Sequence, residues 1–167
     1  MATELLLLWK TNVAVGEIPS LTYDESEGDQ SAMYEAIKNH VLSRIDRNLR
    51  ACLPQVASFD WNLETWDSGY GEALRRDDGS TALLYVCFKR RAPVNETRSG
   101  SITLLDPRAG CANVAAPGLP FGRPLVVSME AGRYLLIPGW LRHGVIPVQI
   151  GDSAVMAVGH VGSANDA

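Results

Sequence analysis

The chain has 167 residues, 46% of them hydrophobic and 20% charged, with a formal net charge of -4. That balance suits a single domain over residues 1–167 with one packed core, and it excludes an intrinsically disordered chain. There is no basic run and no Lys/Arg stripe interleaved with aromatics, so nucleic acid is not expected as a partner, and the mildly acidic balance argues against docking on anionic membranes.

Leu5, Leu6, Leu7, Leu8 and Trp9 form an apolar run near the start. Glu4 stands where a signal peptide would carry basic residues, the run is shorter than an h-region, and no small-residue cleavage site follows. A buried strand over Leu5 to Trp9 is expected, with Val13 to Val15 readable as its continuation. No stretch approaches the length needed to span a bilayer. Tyr23 to Gln30 is acidic and polar and reads as a loop. Met33, Ile37, Val41, Ile45 and Leu49 then recur every four residues, which predicts a helix with one apolar face. Asp29 or Ser31 can cap it and Pro54 ends it, while Glu35, Lys38, Arg44 and Arg47 form the solvent face. His40 lies beside the apolar stripe and reads as structural.

Beyond Pro54 the pattern becomes that of strands, rich in Val, Ile, Leu and aromatics and punctuated by Gly, Pro, Asp and Asn. The predicted strands are Phe59 to Trp66, Ala82 to Phe88, Ser101 to Leu105, Pro124 to Met129, Tyr134 to Ile137, Val145 to Ile150 and Ala154 to Val158. Arg90 to Gly100 and Ala109 to Arg123 read as loops. A helix followed by about seven short strands predicts a mainly β sandwich or jelly roll. Cys52, Cys87 and Cys111 lack the spacing of a disulfide framework or a zinc site, so reduced thiols and a cytoplasmic location are expected, with Cys87 a small buried hydrophobe. Asn95-Glu96-Thr97 fits a glycosylation acceptor, usable only in a secreted protein.

Several blocks then occur in a telling order: Tyr70-Gly71-Glu72-Ala73-Leu74, Thr81 to Val86, Gly100 to Arg108, Pro124 to Val127, Ala131-Gly132-Arg133 through Pro138, and His143-Gly144-Val145-Ile146-Pro147-Val148. Together, over roughly residues 59 to 160, they resemble the prolyl-hydroxylase-like branch of the 2-oxoglutarate/Fe(II) oxygenases. The resemblance implies a double-stranded β-helix, a cupin-like jelly roll, with the helix packed on its sheet. It implies Fe(II) and 2-oxoglutarate as cofactors, a His-x-Asp or His-x-Glu pair plus a distal His as ligands, and an Arg about ten residues later clamping the cosubstrate.

Residue by residue, His143 matches the distal His. The ligand pair falls on Arg75 and Asp77, or, counting from Leu74, on Asp77 and Gly79. The clamp falls near Ser153, where there is no Arg, and His160 lies too far along the last strand to be a ligand by motif. The metal candidates are therefore His143 and Asp77, which are also the catalytic candidates. Asp78-Gly79 has the chemistry of a turn. Tyr70, Arg75 and Trp140 are the candidate substrate-binding residues: Arg75 or Arg76 could hold an anion where iron sits in the family, and Trp140 is a pocket lip or a loop anchor. Trp66 reads as core. Three functions follow. One is an oxygenase-fold enzyme performing hydroxylation or related oxidative tailoring on a small-molecule or carrier-bound substrate. Another is a metal-independent isomerase, cyclase or lyase using His143 as general acid or base. The last is a ligand-binding module without catalysis.

Overall fold

A computed structural model describes residues 4–8, 11–19, 30–44, 56–91, 98–108 and 123–163. In chain order its elements are β1 (Glu4–Leu8), β2 (Thr11–Glu17), α1 (Ser31–Arg44), β3 (Val56–Trp66), β4 (Glu72–Arg75), β5 (Ala82–Arg91), β6 (Ile102–Leu104), β7 (Leu125–Val127), β8 (Arg133–Pro138), β9 (His143–Val145) and β10 (Ser153–Ser163). A six-stranded sheet runs β1-β2-β8-β5-β10-β3 and a four-stranded sheet runs β4-β9-β6-β7. Every pairing is antiparallel. The molecule is a mainly β double-stranded β-helix with α1 packed on the outside of its larger sheet.

Side-chain alternation explains both layers. Leu83, Tyr85 and Cys87 of β5, Leu135 and Ile137 of β8, and Met156 and Val158 of β10 point inward. There they meet Ile102, Leu104, Val127 and Val145 of the smaller sheet. The alternate residues, Leu84 and Val86, Tyr134 and Leu136, Ala157 and Val161, point outward and are covered by Ile37 and Val41 of α1. Burying each of those two helix side chains stabilises the fold by roughly 1.5–3 kcal/mol. With both its faces covered, β5 is buried at every position from Ala82 to Phe88, which is why that stretch of sequence is continuously apolar.

Four details differ from expectation. Val13 to Val15 do not continue the first strand but fold back on it, with Leu8 opposite Thr11 and Leu6 opposite Val13. At the helix start, Tyr34 N donates to Gln30 O at 3.0 Å, which puts Gln30 rather than Ser31 at the cap position. Glu72–Arg75 forms an additional strand at the edge of the smaller sheet, mostly exposed and therefore without an apolar signature. Ahead of Pro147, the strand lies over His143–Val145 rather than Val145 to Ile150. The segments with Asp29, Ile45, Leu49, Cys52, Pro54, Asn95 and Cys111, and most of both long loops, lie outside the described residues. None of the described helices is long and apolar enough to cross a membrane.

Candidate functional site

His143 begins β9, with Arg75 of β4 opposite on one side and Leu104 of β6 on the other. The close fit of β9 on β4 depends on Gly144, because a Cβ there would lie 2.7 Å from Glu72 O. The imidazole is fully buried. Its Nδ1 lies 2.8 Å from Leu141 O. A carbonyl only accepts, so the Nδ1 atom carries the proton and the neutral ring presents a bare lone pair at Nε2. That Nε2 is buried with no hydrogen-bond partner among the described residues. Burial holds the pKa below its ordinary 6.5; the bond to Leu141 O opposes this, and the Arg75 charge reinforces it.

Beside it, Tyr85 of β5 sets its ring edge-on to His143 at 5.9 Å and to Trp66 at 6.4 Å. The phenol oxygen is also buried and without a partner among the described residues. Burial, then the charges of Glu72 and Glu64, push its pKa well above the usual phenol range. A permanent donor and a bare acceptor therefore face the same interior, and neither is satisfied by the described residues. Buried polar atoms normally are satisfied, so a pair left open calls for an explanation.

Around this pair lies a polar rim. Trp66 Nε1 donates to Glu64 Oε2 at 2.8 Å. The Tyr70 hydroxyl stands 3.2 Å from Glu64 Oε2 and 3.0 Å from Glu72 Oε1. Arg75 grips both oxygens of Glu72 through Nη2, and one of them through Nε as well, at 3.3 Å. Tyr70 stacks on Trp66 at 5.1 Å between centroids. Its hydroxyl is raised far above the phenol range, first by burial and then by Glu64 and Glu72.

Asp77 lies in the turn after β4. Its Oδ1 accepts from Gly79 N at 3.1 Å, and its Oδ2 stands 3.2 Å from Ser80 Oγ and 2.9 Å from His160 Nδ1. Asp77 thus orients His160, on the inward face of β10, and makes no hydrogen bond to His143. The same turn abuts the one that carries Trp140: Asp77 N donates to Gly139 O at 2.9 Å, and Trp140 is half-exposed at that rim. Tyr85, Glu64, Glu72 and Ser80 were not singled out from the sequence, and His160, set aside there as a ligand, turns out to be held by Asp77 and Ser80. For Tyr85 the one available sign was its inward parity with Leu83 and Cys87.

The three-ligand iron site implied by the resemblance does not fit these residues. His143 has the lone pair and the backbone-anchored orientation of a metal ligand. Opposite it, however, stands the guanidinium of Arg75, which has no lone pair to give. Asp77 is engaged by His160, Ser80 and Gly79. Among the described residues, no three His, Cys, Asp or Glu side chains are grouped to hold a metal ion.

No family model and no curated protein matches the chain. Solved structures do. The chain is similar to a prolyl-4-hydroxylase from Pseudomonas putida, at 14% identity and a TM-score of 0.55, over 90% of this chain and 72% of that one. It is also similar to a prolyl hydroxylase from Trichoplax adhaerens, solved with a hypoxia inducible factor oxygen degradation domain peptide fragment. There the identity is 13% and the TM-score 0.55, over 89% of this chain and 62% of the other. At these identities the likeness establishes the fold: the chain carries the double-stranded β-helix of the prolyl hydroxylases.

Proposed function

We propose that this chain is an enzyme of the prolyl-hydroxylase fold that moves a proton on a small-molecule or carrier-bound substrate, with His143 as base and Tyr85 as hydrogen-bond donor. One observation carries this reading. Side by side in the barrel, an acceptor, His143 Nε2, and a donor, the Tyr85 hydroxyl, are both buried and both without a partner among the described residues. For a carbonyl compound, the proton passes from the carbon beside the carbonyl to His143 Nε2. The electron pair left on that carbon moves toward the carbonyl oxygen, which accepts a hydrogen bond from Tyr85 as it gains charge. Arg75, opposite His143, disfavours a lasting imidazolium and so favours return of the proton, to the same carbon or to a neighbouring one. The reaction class is isomerisation or epimerisation.

The oxidative reading, hydroxylation coupled to decarboxylation of 2-oxoglutarate, requires a metal that the described donor set does not fit, and no step is derived through it. A test separates the readings. Chelator-treated protein is incubated in D2O with a panel of small keto acids, keto sugars and amino ketones, and deuterium uptake is followed by NMR. Uptake that drops about 100-fold or more in Tyr85→Phe and His143→Ala supports proton transfer. No uptake, together with a saturable charge-transfer band when Fe(II) and 2-oxoglutarate are added without oxygen, overturns it in favour of the oxygenase. A panel compound that binds but never exchanges points to a ligand-holding module.

A further inference from the structure

We propose that the edge where the Tyr70 hydroxyl joins β3 to β4 is a subsite for a protonated amine, with the Glu64 carboxylate as its receptor. The inference rests on the reading that His143 and Tyr85 act on a ligand inside the barrel, and it assigns that ligand a chemical class: a small molecule bearing an ammonium group.

The reasoning starts from strand parity. Asp60, Asn62, Glu64 and Trp66 of β3 stand opposite His160, Val158, Met156 and Ala154 of β10. Trp66, Val158, Met156 and Ala154 all belong to the inner core, so these four β3 residues share its inward face. An inward face is normally apolar, yet this one carries two carboxylates and an amide, while the outward face holds Phe59 and Trp61, packed under α1. The strand is polar where a core strand is apolar because β3 and β4 are edge strands of the two sheets, and Asp60 and Asn62 are exposed. Glu72 begins β4, and the Tyr70 hydroxyl bridges it to Glu64. Glu64 and Glu72 thus stand together where these two edges meet, and the Arg75 guanidinium beside them is committed to Glu72.

An acidic strand face alone would be a solvated edge. The second observation is what lies behind it. Tyr85 and His143 are 98% and 100% buried, each with a polar atom that has no partner among the described residues. The Tyr85 ring abuts Trp66, whose indole N–H holds Glu64. A ligand satisfying those two atoms would therefore lie next to Glu64. That carboxylate is already oriented, because Oε2 accepts from both Trp66 and Tyr70. Oε1 accepts no hydrogen bond from the described residues and is open to a donor. An ammonium supplies such donors together with the missing positive charge, in the charge-assisted geometry that favours amines over neutral hydroxyls. A carboxylate ligand would meet like charge on this wall.

The Trp66 indole N–H is a built-in reporter. In 1H–15N NMR spectra at constant ionic strength, its peak, assigned by loss in Trp66→Phe, is followed while ethanolamine, putrescine, ethylene glycol or acetate is titrated in. Saturable shifts are expected with the two amines and not with the glycol or acetate. Glu64→Gln, which keeps the acceptor for Trp66, should weaken amine binding at least tenfold, while Glu35→Gln on the exposed face of α1 should leave it unchanged. Acetate shifting the peak where the amines do not, or equal amine binding by Glu64→Gln, would overturn the proposal. Because this experiment reads binding and the deuterium experiment reads proton transfer, failure of one is distinguishable from failure of the other.

Discussion

Replacing Tyr85 with Phe removes one oxygen from the interior and leaves the ring where it packs, edge-on to Trp66 and His143. In most proteins such a change costs stability, because the hydroxyl had a partner. Here it has none. A buried polar group left unpaired costs about 1–3 kcal/mol, and deleting it relieves that cost. The vacated volume is that of a single atom and offsets only part of the gain. Tyr85→Phe should therefore be more stable than the wild type by about 1–2 kcal/mol, which for a chain of this size is roughly 2–8 °C in Tm. Urea unfolding followed by circular dichroism measures the difference directly, with an unchanged m-value showing that the same surface is exposed. The same variant should lose the proton transfer proposed for the site, so stability and activity would move in opposite directions. A Tyr85→Phe variant destabilised by about 1 kcal/mol or more at constant m would refute the reasoning, since it would mean that the hydroxyl is satisfied in the folded protein.

Other outcomes follow from neighbouring features. Asp152→Ala leaves the Arg90 guanidinium buried without its counter-charge at 2.6 Å, and chemical denaturation should show a loss of about 3–5 kcal/mol. Gly144→Ala pushes a methyl group to within 2.7 Å of Glu72 O and 3.2 Å of Leu74 N; it should cost about 1–3 kcal/mol and displace His143 from Arg75, visible as a shifted imidazole resonance. Because the His143 pKa is held below 6.5 in the fold, the unfolded chain binds more protons in the window between the two values. Its contribution is complete above about pH 6.5 and is lost as pH falls through that window, at no more than about 1.4 kcal/mol per pH unit. His143→Gln should lack this component, and a matched set of unfolding curves from about pH 7.5 to about pH 5 would show whether it does. Burial pushes the Cys87 thiol up to about 11, so peptide mapping after iodoacetamide at neutral pH should find it unmodified in the folded protein and modified in urea.

The secondary structure was legible wherever a segment buries one face or two. The four-residue spacing of Met33, Ile37 and Val41 marks a helix laid on a sheet. Unbroken apolar runs such as Ala82 to Phe88 mark strands covered on both sides. The order of the blocks around His143 was enough to identify the double-stranded β-helix. Edge strand β4 was invisible for the complementary reason: its exposed residues, Glu72 to Arg75, carry no hydrophobic alternation, and what holds it is the backbone ladder to β9.

The site divides along the same physical line. Residue type and local order brought His143, Asp77, Tyr70, Arg75 and Trp140 into view, because those signals lie within a few positions along the chain. Pairing was another matter. Asp77 meets His160 from the far end of β10, Tyr70 joins Glu64 to Glu72 across two sheets, and the guanidinium facing His143 belongs to an edge strand. Strand register decides such contacts, and register depends on how distant segments pack. Nor does sequence reveal that Tyr85 Oη and His143 Nε2 lack partners. An unsatisfied atom is defined by all of its neighbours at once, and only the folded chain assembles them.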